Sequence, residues 1–361
     1  MTRILTVEGS GNLWGSERAL LDLLDTLPRL EIAVCCPPQM PLKGELEKRK
    51  IRTLAYYVYG LHKKSRLYRL QAAVGVLRAC VEFRPEVIYL NQCGSYKVTL
   101  PAATIFNLPI VAHIRIFEDA AYLAMQNPSP HRLRGIIAIS SAVEKEIRRF
   151  RQLDPIQLHR VYDGYASAVR VPSNGREGTG RNRIACVGRL VPVKGQDVLI
   201  NALCLLKNFE IKGECIFVGD GDEGFVHDLR RMAASGDSPF VTQWVGFVSD
   251  VLSLLATCSV LVCPSHHEPL GRVILEAWDA GVVPVVFAGS GGAAEIVAAA
   301  DGGILYDEQK PSSLARALRQ ALELDPESRE RFVNNGRSWT RRNCDPGAYG
   351  RLVSGILSNV G

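Results

Sequence analysis

Leu261-Val262-Cys263-Pro264-Ser265-His266-His267-Glu268-Pro269-Leu270-Gly271, running into Arg272-Val273-Ile274-Leu275-Glu276-Ala277, carries the most structural information in this chain. The apolar run from Ser259 to Cys263 reads as a strand buried on both faces of a parallel sheet, and Gly271 opens a helix. A helix start presents unpaired backbone N–H groups and the positive end of a dipole, so it suits a phosphate or a sugar hydroxyl. Glu268 stands just before that start. Glu276, eight positions on, falls about one and a half turns into the helix at 3.6 residues per turn. One carboxylate can then face a group above the helix end while the other reaches a group beside it. For an isolated pair of glutamates the plainer reading is a helix cap and a solvated surface charge; the surrounding sequence has to overturn it.

Working outward, apolar strand-like segments alternate with helical stretches in both halves. Ile4–Glu8, Ile32–Cys36, Val87–Leu90, Ile110–Ile114 and Gly135–Ile139 read as strands in the first half. Arg183–Val187, Cys215–Val218, Val241–Val245, Val260–Cys263 and Val282–Phe287 do so in the second, and Leu314–Leu322 reads as a helix. Such alternation implies parallel sheets covered by helices on both faces. Residues 166–182, rich in Gly, Ser, Arg and Pro, read as an exposed linker. The expected domains are therefore 1–165 and 183–340, with 341–361 as a C-terminal helix packing back on the first. Two doubly wound α/β domains of this kind would face each other across a central cleft, with their strand C-terminal ends and binding loops along it.

The bulk numbers agree with two soluble domains. The chain has 361 residues, 47% of them hydrophobic and 22% charged, enough for two cores. No apolar stretch reaches the roughly 18 residues of a membrane span. The N-terminus runs straight from a strand into a glycine turn, unlike a signal peptide, so a cytoplasmic location is expected. None of the ten cysteines forms a Cys-x-x-Cys motif, and most lie in or beside apolar strands, so reduced core thiols are expected. His266-His267 lacks companion ligands at zinc spacing. Residues 1–165 hold 23 Lys and Arg against 15 Asp and Glu, a net +8, whereas residues 166–361 are at −2. The basic excess lies in Lys43–Arg52, His62–Arg69 and Arg148–Arg151, interleaved with Leu, Tyr and Phe. That surface suits an anionic membrane or a phosphate-bearing acceptor, and equally a merely solvated face. Nucleic acid is disfavoured.

Five segments of the second half occur in an order and spacing that resemble the family 4 glycosyltransferases, retaining enzymes of the GT-B fold. They are Val187-Gly188-Arg189 through Val193-Lys194-Gly195, Phe217-Val218-Gly219-Asp220-Gly221, Val245-Gly246-Phe247, the Glu268…Glu276 segment, and Gly291-Gly292-Ala293-Ala294-Glu295. The first half is similar more loosely, through Gly15-Ser16-Glu17-Arg18, His113, Ala138-Ile139-Ser140 and Val161-Tyr162-Asp163-Gly164. The resemblance implies that Arg189 and Lys194 hold the diphosphate of a nucleotide-sugar donor. A forked guanidinium and an ammonium can stabilise the charge that grows on such a leaving group. Glu276 would grip the ribose hydroxyls and Glu268 the donor-sugar hydroxyls, with the N–H groups of Leu270 and Gly271 facing sugar and phosphate. Glu-Pro-Leu-Gly stands where many relatives have Glu-Gly-Phe-Gly, and Pro269 removes one N–H donor from the sugar pocket. Gly11, in the glycine-rich loop Gly9–Asn12, corresponds to the loop that faces the phosphates. His113 matches a position touching the donor sugar near its reacting carbon. Asp163 stands where relatives usually have Asn.

Gly219-Asp220-Gly221-Asp222-Glu223-Gly224 formally matches a dinucleotide fingerprint, yet three acidic side chains in the loop would repel a pyrophosphate. A turn is the expected role, with neither NAD nor a metal ion. The expected activity is transfer of a sugar to an acceptor hydroxyl, saccharide or lipid-linked, with retained configuration and without metal. Its setting would be cell-surface polysaccharide or glycolipid synthesis at the inner face of the plasma membrane. A sugar-nucleotide epimerase, a phosphorylase-like enzyme and a catalytically silent nucleotide-sugar-binding protein remain open alternatives.

Overall fold

A computed structural model describes residues 2–27, 30–56, 66–167 and 182–360. Residues 62–65 of the expected basic cluster at 62–69, and nearly all of the expected linker, therefore lie outside the described residues. The chain forms two compact units, Met1–Ala166 with Cys344–Gly361, and Ser167–Asn343.

In the first unit β1 (Arg3–Val7), β2 (Glu31–Cys36), β3 (Arg52–Ala55), β4 (Val87–Leu90), β5 (Ile110–Ile114), β6 (Leu133–Ala138) and β7 (Gln157–Arg160) form a parallel sheet in the order β3-β2-β1-β4-β5-β6-β7. In the second, β8 (Asn182–Val187), β9 (Gly213–Val218), β10 (Phe240–Gly246), β11 (Val260–Cys263), β12 (Val283–Phe287) and β13 (Ile304–Tyr306) are ordered β10-β9-β8-β11-β12-β13, again parallel. Both are doubly wound α/β sheets, as expected. The central strands are buried along their length, Val87-Ile88-Tyr89-Leu90 and Val260–Cys263 being buried at every position, which is why they read as unbroken apolar runs. Three strands gave no comparable signal. β3, β7 and β13 are edges and short; β3 has one buried position, β7 none and β13 two, so little apolar sequence is needed to place them.

Helix Pro311–Leu322 starts three residues before the expected Leu314, with proline in its first turn, where a missing N–H costs nothing. Helix Pro326–Asn343 carries residues 341–343 into the second unit, and the chain returns to the first at Cys344, whose carbonyl accepts the Tyr165 N–H at 2.8 Å. Asp345 then caps the C-terminal helix Pro346–Asn359 by accepting from the Ala348 N–H at 2.7 Å. Tyr349, Val353, Ile356 and Leu357 of that helix enter the same core as Ile4, Leu20 and Val34. All ten cysteines are free thiols, nine of them buried. The strand order reverses between β1 and β4 in one sheet and between β8 and β11 in the other. At such a point the loops leaving adjacent strands diverge to opposite faces and open a crevice at the strand C-terminal ends.

Candidate active site

In the second unit both loops that border the crevice carry predicted site residues. After β8 the chain passes Gly188 and Arg189 and makes a single turn, Pro192–Lys194, closed by Gly195 at φ 67°. After β11 it runs through Pro264–Gly271 and enters helix Arg272–Asp279 from Gly271 at φ 82°. Lys194 and Glu268 meet across the crevice, Nζ to Oε2 2.5 Å, with side chains 21% and 14% exposed. Glu268 Oε2 also accepts from the Ser265 hydroxyl at 3.2 Å. Burial works against the Lys194 charge, but Glu268, by charge and hydrogen bond, outweighs it and lifts the ammonium above its ordinary value. Cys263 Sγ lies 4.0 Å from the same carboxylate oxygen, and burial, then Glu268, pushes its thiol up to about 11, so it is a neutral thiol here.

The glycines explain why these loops hold their shape. A Cβ at Gly195 would lie 2.1 Å from the Pro264 carbonyl oxygen, and one at Gly292 1.9 Å from that of Pro269. Gly219 and Gly221 press on the Gly188 and Leu190 carbonyls at 2.1 and 2.0 Å by the same measure. The His266 N–H donates to the Val193 carbonyl at 2.8 Å, and the Glu268 N–H to that of Ser290 at 2.7 Å. Loops from β8, β9, β11 and β12 are thus stacked backbone on backbone, closer than any side chain allows. Gly188 is different: a Cβ there would meet nothing within 4 Å. The Asp220–Asp222 segment forms the turn between β9 and its helix, where Asp222 accepts the Phe225 N–H at 3.1 Å.

Arg189 is exposed on the β8 loop, its carbonyl taking the Gln196 side-chain amide at 2.8 Å. Glu276 sits half-buried on helix Arg272–Asp279, whose Ile274, Leu275, Ala277 and Trp278 are buried. The Leu270 side chain is buried as well, which leaves its backbone as the part available to a ligand.

The first unit builds its crevice differently. Gly11, at φ 74°, is packed so that a Cβ would lie 2.8 Å from Met40, a structural reason for glycine there. His113, at the end of β5, is fully buried. Its Nδ1 lies 2.7 Å from the Tyr89 hydroxyl and 3.3 Å from Arg115 Nη2, while Nε2 has no hydrogen-bond partner among the described residues. Burial and then the neighbouring Arg115 charge hold the imidazole well below its ordinary value, so it is neutral. Arg115 is itself buried against Asp163 (2.5 Å) and Tyr349 (3.2 Å), and its Nε donates to the carbonyl and side-chain oxygens of Asn91, both at 3.1 Å. Asn91 in turn donates to Glu8 Oε2 at 2.5 Å. Burial, then Glu17, raises the Glu8 carboxyl to about 7. Sequence reasoning singled out His113 and noted Asp163, but missed Glu8, Asn91, Arg115 and Tyr349. The signal was there: an acid directly after Ile4–Val7 and a cation directly after Val111–Ile114 are charges appended to buried strands.

Residues 172–339 match the family described as Glycosyl transferases group 1. The lipopolysaccharide core biosynthesis glycosyltransferase LpsE of Rhizobium meliloti is 31% identical over 195 residues, 49% of this chain and 54% of that protein. A GDP-mannose-dependent alpha-(1-6)-phosphatidylinositol monomannoside mannosyltransferase of Mycobacterium tuberculosis is 33% identical over 168 residues, 44% of this chain and 43% of that one. The chain thus matches about half the length of each. Among solved structures, Anabaena HepE in complex with UDP-glucose has TM-score 0.84 at 22% identity, covering 99% of this chain and 100% of that one. Sucrose-phosphate synthase of Thermosynechococcus elongatus has TM-score 0.79 at 18% identity, covering 100% and 99%. With the two parallel sheets, these likenesses identify the fold as GT-B.

Proposed function

We propose that this protein is a glycosyltransferase that moves a hexosyl group from a nucleotide-sugar donor to an acceptor hydroxyl with retained anomeric configuration. The observation that carries the reading is the meeting of Lys194 and Glu268 at the crossover of the second sheet, beside the start of helix Arg272–Asp279. That crevice lies within the stretch that matches the glycosyltransferase family. The relatives' names speak of lipopolysaccharide core and mannoside synthesis, and the HepE structure holds UDP-glucose. These favour sugar transfer over epimerisation or silent binding.

In this reading the donor pyrophosphate lies on the first-turn N–H groups of the helix and is held by Lys194 and Arg189. The two cations stabilise the charge that develops on the departing diphosphate. Open space at Gly188 admits the phosphate close to backbone. Glu268, already aligned by Ser265 and Lys194, accepts from donor-sugar hydroxyls, and Glu276 from the ribose. The departing phosphate oxygen takes the proton of the acceptor hydroxyl on the face it leaves. No divalent ion is required, because fixed cations and the helix end supply the charge. A thermal-shift screen of UDP-, GDP- and ADP-sugars tests the reading, since a ligand that binds only the folded state raises the transition temperature. Stabilisation by one donor class, followed by sugar transfer insensitive to chelators, is the expected result; no shift from any donor would sink it.

A lipid-linked acceptor at an anionic membrane, in glycolipid or surface-polysaccharide synthesis, fits one further feature. Helix Arg66–Phe83 buries Ala72, Val76, Ala79 and Phe83, and exposes Leu67, Leu70, Val74 and Val81 along its other side. Arg66, Arg69 and Arg78 lie on the same helix. No helix among the described residues is long and apolar enough to cross a membrane, so attachment would be peripheral. Salt-sensitive sedimentation with anionic, but not neutral, vesicles is expected.

A further inference from the structure

Arg115 and Tyr89 both approach the same imidazole nitrogen, and one of them has no choice about its role. A guanidinium has only donors, so Nδ1 of His113 must be the acceptor of the 3.3 Å contact from Arg115 Nη2, and Tyr89 donates to it at 2.7 Å. The ring proton then sits on Nε2, which is buried and without a partner among the described residues. Arg115 is aimed by other groups: Asp163 takes Nη1, Tyr349 takes Nη2, and Asn91 takes Nε. Tyr349 comes from the C-terminal helix, 234 positions away, and its hydroxyl also donates to Asp163 at 3.3 Å.

We infer that Arg115 and Tyr89 are positioning residues that hold His113 as its Nε2–H tautomer, a fixed hydrogen-bond donor for a ligand oxygen at the first-unit crevice, and that Tyr349 ties the C-terminal helix to that alignment. The charged groups around the ring agree. Arg115 faces Nδ1, Asp163 is compensated by Arg115, and the Cys93 thiol lies against the His113 carbonyl at 3.6 Å. None offers the ring an acceptor that would draw the proton to Nδ1. A buried N–H without a partner is disfavoured, and a ligand hydroxyl would satisfy it. The catalytic half of this inference rests on the sugar-transfer reading above; the tautomer does not.

The test is nitrogen NMR on full-length 15N-labelled protein, with His113 assigned by the signals lost in His113→Gln. Nε2 protonated and Nδ1 unprotonated, without titration between about pH 5 and 8, is expected; an Nδ1–H ring, or titration near the ordinary histidine value, overturns the inference. Tyr89→Phe removes the shorter donor, and Arg115→Lys removes the fork while keeping the charge beside Asp163. Each is expected to bring in a second tautomer and to lower the transfer rate roughly tenfold, with nucleoside-diphosphate affinity within about twofold of wild type. Should Arg115→Lys fail to fold, Tyr89→Phe carries the test. An unchanged His113 pattern in the folded variants overturns the positioning role. Failure of nucleoside diphosphates to bind any of these proteins would count against the second-unit site and leave the His113 result standing.

Discussion

In the first unit the crevice where the sheet reverses is closed by Glu8 and Asn91, 2.5 Å apart and fully buried. In the second, Lys194 and Glu268 span the corresponding crevice at the same separation, yet keep 21% and 14% of their side chains exposed. The first arrangement is satisfied from within: Arg115, Asp163, Tyr349 and Asn91 supply one another's hydrogen bonds. The second is held by backbone contacts between glycine loops, and there Lys194 pairs with Glu268, which also accepts from Ser265. A lysine paired with a single carboxylate near solvent can exchange that partner for a phosphate at small cost, whereas a buried guanidinium with four partners cannot. On the proposed function, then, the second crevice is the one suited to exchanging a protein partner for a ligand, while the first keeps its buried pairs intact.

The sharpest way to break this comparison is Arg115→Met. It leaves the Asp163 carboxylate, 4% exposed, without its cation, and a destabilisation of about 3–5 kcal/mol is expected in chemical denaturation. A loss under about 1 kcal/mol would mean the network is not what holds the first unit together.

Next in size is a pH effect. The Glu8 carboxyl is raised from 4.5 to about 7 by burial and then by Glu17. Between those values the folded state binds a proton that the unfolded state has released. Its contribution is therefore complete below about pH 4.5 and is lost as pH rises through about 7, an effect on the order of 3 kcal/mol. Asp119, raised to about 7 chiefly by burial, acts in the same direction. His113, buried and neutral, acts in the opposite one, losing stability as pH falls below its ordinary value. Glu8→Gln should flatten the decline between about pH 5 and 8 without abolishing it. An unchanged slope in denaturation at several pH values would refute the assignment.

For the second unit, Gly195→Ala tests whether loop stacking makes the site. The added carbon meets the Pro264 carbonyl at 2.1 Å, at φ 67°, and about 2 kcal/mol of stability should go, with nucleotide affinity down at least tenfold. Gly188→Ala, facing open space, should cost the fold about 1 kcal/mol through its positive φ alone. Equal fold losses in the two variants would show that close packing is not the cause.

The two crevices were not equally legible in the sequence. Glycines that touch a neighbouring carbonyl, and a lysine and a glutamate in the loops that follow two strands, are local statements, so Lys194, Gly195, Glu268 and Gly292 stood out within short segments. The first-unit network is assembled from residues 8, 91, 115, 163 and 349, each of which reads alone as an ordinary charge or aromatic; only the sheet order brings them together. Strands followed the same rule. Val260–Cys263 declares itself by continuous apolarity, whereas Gln157–Arg160 is set at the edge by its neighbour β6 and carries almost no signal of its own.

The smallest expected effect on the fold is also the one that separates the two crevices most cleanly. Lys194→Ala removes the cation from a part-exposed pair, and Glu268 keeps its Ser265 hydrogen bond and its access to water. The stability change should stay within about 1 kcal/mol. Transfer should nevertheless fall about a hundredfold, because in the proposed function the ammonium stands where charge gathers on the departing diphosphate. Donor affinity, which in the proposed function also draws on Arg189, Glu276 and the helix start, should fall much less; Glu276→Ala should show the reverse, a weaker Kd with a milder loss of kcat. Separate measurement of Kd and kcat distinguishes the two. If Lys194→Ala instead unfolded the protein while leaving turnover per folded molecule intact, the pair would be an architectural one like Glu8 and Asn91, and the assignment of the second crevice to catalysis would fall with it.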